Sequence, residues 1–218
     1  MRRQVVQARN IILFGESGVG KSSIINLIAG EEVAKSNNDV RGCTHEATPY
    51  TFTLNSRIDV VKLWDTVGLD EGTAGATTAV HARRKLKQLL QEQLSTSEGI
   101  DLLLYCIRGD KIKSAHLERY RFVYEEVCRK AVPVAIAVTG LENHDPNGDM
   151  DSWWSDNEGD FLEHGARFCA HACITTLPRS QSGYMSRTDL SQRRLRDLLE
   201  GAFHAVSFHS ELWIEITE

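Results

Sequence analysis

The sequence predicts an α/β fold in which helices cover both faces of a mostly parallel β-sheet. Short apolar runs typical of strands alternate with helical apolar patterns along nearly the whole chain, as they do in sheets of this kind. No internal repeat and no low-complexity linker interrupts this alternation. The chain has 218 residues, of which 41% are hydrophobic and 25% are charged, and this suits one α/β domain. We therefore expect residues 1–218 to form a single domain.

The first half of the chain predicts three strands and two helices. An apolar run at residues 10–14 predicts a strand, and a helix at 21–29 follows it and ends at Gly30. Strands at 50–55 and 58–64 are joined by a two-residue link, which predicts an antiparallel hairpin. The next helix is expected at 78–94.

The second half continues the same alternation. Apolar runs at residues 101–107, 132–139 and 170–175 predict three further strands. Helical patterns at 115–129, 152–167 and 189–206 predict the helices that connect and follow them. No element is predicted for residues 207–218.

The stretch FGESGVGKSS, residues 14–23, predicts a phosphate-binding loop between the first strand and the first helix. Its glycines allow backbone N–H groups to turn toward phosphates, and the helix N-terminus adds a partial positive charge. We expect Lys21 to reach the β- and γ-phosphates and the Ser22 hydroxyl to bind Mg²⁺. The residues predicted to contact the nucleotide here are Gly15, Glu16, Ser17, Gly18, Val19, Gly20, Lys21, Ser22 and Ser23.

Two further sequence features are consistent with binding of a nucleoside triphosphate and Mg²⁺. Asp65 follows the third apolar run and begins an Asp-x-x-Gly sequence that ends at Gly68. A carboxylate at the tip of that strand can hold Mg²⁺, and the glycine amide can meet the γ-phosphate and leave it after hydrolysis. Thr44, in the polar loop before the second strand, is the residue that we prefer for closing over the Mg²⁺ ion and the γ-phosphate. Thr48 is the alternative.

These three groups, in this order, resemble the G domains of the Ras-like and translation-factor-like GTPases. The wording GESGVGKSS resembles septins and the immunity-associated GTPases, and VTGLE, SWWSDNEGDF and ACITT resemble G-domain proteins of mushroom-forming fungi. The resemblance implies a three-layer Ras-like G domain whose six-stranded sheet contains one antiparallel strand. It also implies a switch that hydrolyses GTP to GDP and phosphate with Mg²⁺, with residues 31–49 and 66–80 as the two nucleotide-sensing segments.

The base-reading motif departs from the Asn-Lys-x-Asp of that family, because the fifth strand ends in Thr-Gly-Leu-Glu at residues 139–142. The family aspartate accepts hydrogen bonds from guanine N1–H and N2–H₂, and Glu142 offers the same two oxygens one methylene further out. Gly140 removes the lysine whose stem lies against the base, so we expect guanine preference with looser discrimination. The other residues expected here are Thr139 as a nucleotide contact, Thr175 through its backbone N–H, and Asp145 as the alternative carboxylate.

The hydrolytic residues depart from the family as well. Leu69 stands where many members carry a glutamine that orients water, so we expect slow intrinsic hydrolysis. Arg41 precedes Thr44 by three residues, as the catalytic arginine does in heterotrimeric G-protein α subunits, and is a candidate to act in cis or across a dimer. Two other functions stay open: a scaffold that holds nucleotide without turnover, favoured by Leu69, and a phosphate-loop ATPase, disfavoured by Glu142.

The net charge, the cysteines and the apolar runs of the sequence limit which molecules we expect the chain to bind and where we expect it to be located. The net charge of −5 gives no overall attraction to nucleic acid or to an anionic membrane. Five cysteines without framework spacing predict a reduced, cytoplasmic protein, and the chain has no apolar run long enough for direct membrane insertion. The expected partners are a guanine nucleotide, a second copy of the chain across the nucleotide face, and an unidentified effector or activating protein.

Overall fold

The computed structural model describes residues 8–34, 47–54, 60–69, 76–144, 149–177 and 185–215. Strands and helices alternate along the chain, as the sequence predicts. In chain order the elements are β1 (Arg9–Gly15), α1 (Lys21–Ala29), β2 (Thr48–Thr53), β3 (Val60–Asp65), α2 (Ala76–Leu94), β4 (Leu102–Arg108), α3 (Ser114–Tyr120), a π-helical segment (Arg121–Val127), β5 (Val134–Thr139), α4 (Ser152–Glu163), β6 (His171–Cys173) and α5 (Met185–Glu215).

The six strands form one sheet in the order β2-β3-β1-β4-β5-β6. The strands pair in parallel except β2 and β3, which are antiparallel. The predicted α/β fold, with its one antiparallel strand, is therefore confirmed. Because β1, β3, β4, β5 and β6 run in parallel, their carboxyl ends meet at one edge of the sheet, where ligands of such folds bind.

Two apolar layers pack on opposite faces of the sheet. Residues alternate along each strand, so Ile12 and Phe14 face α2, α3 and α4, while Ile11 and Leu13 face α1 and α5. All four side chains are fully buried. This packing fixes β1 in the centre of the sheet and fixes the loop that follows it.

Three helices differ from their predicted bounds. The predicted helix at 115–129 changes from α-helical to π-helical hydrogen bonding after Tyr120. The Cys128 amide, for example, donates to the Val123 carbonyl five residues earlier at 3.0 Å. Helix α4 ends at Glu163 because Gly165 adopts a left-handed conformation with φ of 79°. Helix α5 continues to Glu215, through the segment for which the sequence predicts no element. Within the described residues, no helix combines the length and apolarity that crossing a membrane requires.

Candidate functional site

The loop between β1 and α1 has a backbone suited to enclosing an anion. Gly18 and Gly20 adopt left-handed conformations with φ of 73° and 92°, which favour glycine. Gly20 is the N-cap of α1, and its carbonyl accepts the first helical hydrogen bond from Ile24 at 2.8 Å. The free N–H groups of the first turn therefore point into the loop, as the sequence predicts.

Lys21 is held close to this loop. Its side chain is 7% exposed, and its ammonium group donates a hydrogen bond to the Glu16 carbonyl at 2.8 Å. A buried ammonium group at this place provides a fixed positive charge for a phosphate. The structure thus places the Lys21 ammonium group beside the loop, and its role toward phosphate stays a prediction.

Ser22 and Asp65, the two described residues predicted to bind metal, meet at the carboxyl edge of the sheet. The Ser22 hydroxyl donates to Asp65 Oδ2 at 2.5 Å. Asp65 ends β3 and is 4% exposed. A hydroxyl and a carboxylate side by side are hard oxygen donors, which is the donor set that Mg²⁺ prefers. The residues present therefore fit a magnesium ion.

Cys106 lies beneath the same charges but is chemically quiet. Burial, opposed by the Lys21 charge and assisted by the Asp65 carboxylate, raises the pKa of the Cys106 thiol to about 12. The thiol is therefore protonated at neutral pH and is not a nucleophile. Elsewhere in the described ranges, no group of three or more His, Cys, Asp and Glu side chains is arranged to hold a metal ion.

The Asp-x-x-Gly segment lies directly on the phosphate loop. A Cβ atom added to Gly68 would lie 2.5 Å from the Ser17 amide nitrogen, so only glycine fits there. The Leu69 amide donates to the Gly15 carbonyl at 3.0 Å. The Leu69 side chain is 1% exposed and packs in the core with Ile12 and other apolar residues. It is turned away from the phosphate loop.

At the base-reading end, Thr139 supports the phosphate loop from below. Its hydroxyl is buried and lies 2.8 Å from the Val19 carbonyl and 3.1 Å from the Ile107 carbonyl, so its single proton is directed at, or shared between, these two acceptors. This contact ties the end of β5 to the loop.

Glu142 and Thr175 are brought together by the adjacent ends of β5 and β6. The Thr175 hydroxyl donates to Glu142 Oε2 at 2.9 Å. The guanidinium of Arg187, near the start of α5, donates to the Glu142 backbone carbonyl. These contacts fix both the backbone and the carboxylate of Glu142.

The Thr175 backbone N–H has a partner within the protein, and its expected contact with the nucleotide stays a prediction. That amide donates to Ser191 Oγ at 3.0 Å, and Ser191 Oγ in turn donates to the Arg187 carbonyl at 2.7 Å. Thr175 and Ser191 are fully buried. The amide thus bonds to α5, while the Thr175 hydroxyl bonds to Glu142.

A buried charged cluster beside the phosphate loop was not predicted. Glu16 Oε1 lies 2.5 Å from Arg119 Nη1 and 3.7 Å from His116 Nε2. The Lys113 amide donates to His116 Nδ1 at 3.2 Å, so the ring proton is on Nε2 and faces Glu16. Burial lowers the pKa of His116. In the sequence, the only sign of this cluster is the three-residue spacing that places His116 and Arg119 on one face of a helix. That spacing does not indicate a contact with the phosphate loop.

Three predicted site residues lie outside the described residues: Arg41, Thr44 and Asp145. So do residues 35–46 of the segment 31–49 and residues 70–75 of the segment 66–80. Thr48, the rival of Thr44, begins β2 and pairs with Asp65 in the antiparallel ladder. Its side chain is exposed.

Comparison with known families finds one matching family model. It is described as a 50S ribosome-binding GTPase and matches residues 10–139, which is more than half of the chain. The translocase of chloroplast 34 homolog of Chlamydomonas reinhardtii is 30% identical over 158 residues, or 66% of this chain and 38% of that protein. GTPase Der of Campylobacter curvus is 24% identical over 135 residues, or 62% of this chain and 26% of that protein. The chain thus spans well under half the length of these two relatives.

Solved structures match the fold over most of the chain. A dimerisation-deficient variant of Toc33 from Arabidopsis thaliana has a TM-score of 0.62 at 17% identity, covering 90% of this chain and 83% of that one. Era from Aquifex aeolicus has a TM-score of 0.60 at 16% identity, covering 88% of this chain and 57% of that one. At such identities the likeness concerns the fold alone.

Proposed function

The chain belongs to the GTPase family that the matching model describes, and from this premise we propose that it binds GTP with Mg²⁺ and hydrolyses it to GDP and phosphate. The observation that carries the proposal is the junction of the Ser22 hydroxyl and the Asp65 carboxylate, 2.5 Å apart, beside the buried Lys21. In this proposal the loop residues Gly15 to Ser23 enclose the phosphates through their backbone N–H groups.

Each phosphate-facing residue has a separate task in this proposal. Lys21 leaves the Glu16 carbonyl and donates to the β- and γ-phosphate oxygens. Ser22 and Asp65 would hold the magnesium ion, which when bound neutralises charge on those oxygens. Structures of Toc33 from Arabidopsis thaliana with Mg²⁺ and GMPPNP and with GDP and Mg²⁺ support this choice of metal and nucleotide.

We assign guanine recognition to Glu142. Its carboxylate accepts hydrogen bonds from N1–H and N2–H₂ of guanine, whereas adenine has no donor at either position. The hydrogen bond from Thr175 and the bond from Arg187 to the Glu142 carbonyl hold this carboxylate at the edge of the sheet. A phosphate-loop ATPase would have no use for a carboxylate fixed in this way, so the ATPase alternative is disfavoured.

The conformational switch is assigned to the segments 31–49 and 66–80 of one G domain. In the GTP state, Thr44 and the Gly68 amide are ordered on the γ-phosphate, and hydrolysis releases both. The contact between Gly68 and Ser17 supports this role, because it keeps the glycine within reach of the phosphate loop. We assign Arg41 to stabilise charge that develops between the β- and γ-phosphates.

Turnover is expected to be slow without help. The burial of Leu69 leaves residue 69 unable to orient water, and this observation equally favours a scaffold that holds nucleotide without turnover. Dimerisation is important for the GTPase activity of the chloroplast translocon components atToc33 and psToc159. We therefore propose that a homodimer across the nucleotide face, or a partner protein, accelerates hydrolysis.

The wider partners and the location stay predictions. Era has been crystallised with nucleotides of 16S ribosomal RNA, so the expected absence of a nucleic-acid partner is not supported by the comparisons. One relative is named as chloroplastic, so cytoplasmic location also stays a prediction.

Phosphate release from GTP across a series of protein concentrations tests the proposed turnover. We expect a rate of about 0.01 s⁻¹ or less at low concentration, and a higher rate per molecule as the concentration rises. A rate of phosphate release per molecule that does not depend on protein concentration would show that a homodimer does not accelerate hydrolysis. Tight GTP binding without phosphate release at any concentration would establish the scaffold instead.

Replacing Thr175 with valine tests the support of Glu142. Valine keeps the shape of threonine but loses the hydroxyl that donates at 2.9 Å, so the carboxylate is less well fixed. We expect GDP affinity to fall about tenfold, with a smaller loss for IDP, which lacks the 2-amino group. Thr175→Ser retains the hydroxyl and is expected to bind like the wild type. Equal binding by the valine variant in fluorescence titrations would contradict this role.

A further inference from the structure

The space beside Gly140 is filled by a side chain from the neighbouring strand. Gly140 has a φ of 78°, and a Cβ atom added there would lie 3.3 Å from Cγ, 3.4 Å from Nε and 3.7 Å from Cζ of Arg108. Arg108 is the last residue of β4 and is paired in register with Thr139. The guanidinium of Arg108 therefore crosses the base-reading segment directly at its glycine.

Arg108 is available to a ligand at this place. Its side chain is exposed, and within the parts of the chain that the structure describes it has no recorded ion pair or side-chain hydrogen bond. The residue after Gly140 is the buried Leu141, and the next is Glu142. One planar cation and one carboxylate thus stand on either side of a short turn at the carboxyl edge of the sheet.

We propose that Arg108 is a base-binding residue whose guanidinium lies against the face of the purine while Glu142 reads its edge. This inference rests on the proposed function. A guanidinium is planar, always charged and weakly hydrated, so it stacks flat on aromatic faces more readily than an ammonium does. Stacking fixes the orientation of the base plane. In that orientation the Glu142 carboxylate can accept hydrogen bonds from N1–H and N2–H₂ on one edge of guanine.

The same geometry accounts for glycine at residue 140. Any side chain there would meet the Arg108 side chain at 3.3 to 3.4 Å and would also be strained by the left-handed backbone. The absence of a side chain at Gly140 therefore leaves room for Arg108. The sequence departs from the family's lysine at this position, and the arginine of β4 supplies the missing contact with the base.

Equilibrium titrations of GDP and IDP, with Mg²⁺, against Arg108→Ala, Arg108→Lys and the wild type test this proposal. Arg193→Ala is the matched control, because Arg193 is an exposed arginine of α5 that carries no recorded ion pair or side-chain hydrogen bond within the described residues. We expect Arg108→Ala to bind both nucleotides about tenfold more weakly, with the ratio of GDP to IDP affinity unchanged. Arg108→Lys is expected to restore little of the loss, since it keeps the charge without the plane.

Three results would overturn the proposal. Binding by Arg108→Ala equal to that of the control excludes any contact. Full recovery in Arg108→Lys shows that the planar guanidinium is not required, which overturns the stacking assignment. A loss for GDP alone assigns Arg108 to the purine edge.

A failure of the proposed function is distinguishable from these three results. If the wild-type chain binds no guanine nucleotide, the proposed function is wrong and this inference is wrong with it. The three results above leave guanine binding by the wild type intact.

Discussion

Replacing Lys21 with alanine is expected to lower the rate of GTP hydrolysis by about a hundredfold or more and to weaken binding of GTP and GDP. The ammonium group is buried at 7% exposure and is already held against the loop by its bond to the Glu16 carbonyl. Lys21 therefore has only to exchange the Glu16 carbonyl for phosphate oxygens, and a charge that is already in place stabilises a transition state strongly. Phosphate release under saturating GTP measures the change.

Two further variants control the Lys21 experiment. Lys87→Ala removes an exposed lysine from the middle of α2 and is expected to hydrolyse GTP as the wild type does. Lys21→Arg keeps the charge with a different donor geometry and is expected to recover only part of the rate. A folded Lys21→Ala protein, with an unchanged melting temperature and an unchanged rate, would contradict the assignment of the phosphate site.

Replacing Glu142 with alanine is expected to reduce the preference for GTP over ATP by about a hundredfold. In the proposed function this carboxylate accepts from N1–H and N2–H₂ of guanine, and Thr175 and Arg187 contact Glu142 through its carboxylate and its backbone carbonyl. Without it, both donors of guanine are left unpaired in the site, so the affinity for GTP falls while the affinity for ATP changes little. Competition titrations against a fluorescent nucleotide measure both affinities.

The Glu142 experiment also has matched variants. Glu158→Ala removes an exposed glutamate from α4 and is expected to leave the preference unchanged. Glu142→Gln keeps the length of the side chain but turns one acceptor into a donor, so it is expected to lose guanine preference as well. Retention of the wild-type preference in Glu142→Ala would move base recognition to another group, of which Asp145 is the first candidate.

Much of the fold could be predicted because strand and helix periods are local properties of the sequence. The apolar runs of β1, β4 and β5 and the glycines around α1 identify those elements directly. The change to a π-helix after Tyr120 could not be predicted, since it alters hydrogen-bond partners without altering the apolar stripe. The continuation of α5 to Glu215 was missed because the prediction ended this helix at residue 206, although Phe208 and Leu212 are further apolar residues beyond it.

The candidate site could be predicted where its residues follow strand ends. Ser22 and Asp65 meet because β1 and β3 are neighbours in the sheet, and the motifs alone indicate this. The roles of Thr175 and Arg108 depend on side-chain directions between adjacent strand ends, and a sequence pattern does not specify these. The pairing of Glu16 with Arg119 likewise depends on how α3 packs beside the loop.

The central claim is that this chain is a guanine-nucleotide-binding member of its family despite its altered base-reading motif. Paired calorimetric titrations of the nucleotide-free protein with GTP and with ATP, both in Mg²⁺, test this claim most directly. The account predicts clear binding of GTP and at least about tenfold weaker binding of ATP. Equal affinities for the two nucleotides would contradict it, because Thr-Gly-Leu-Glu at residues 139–142 would then be a turn that reads no base.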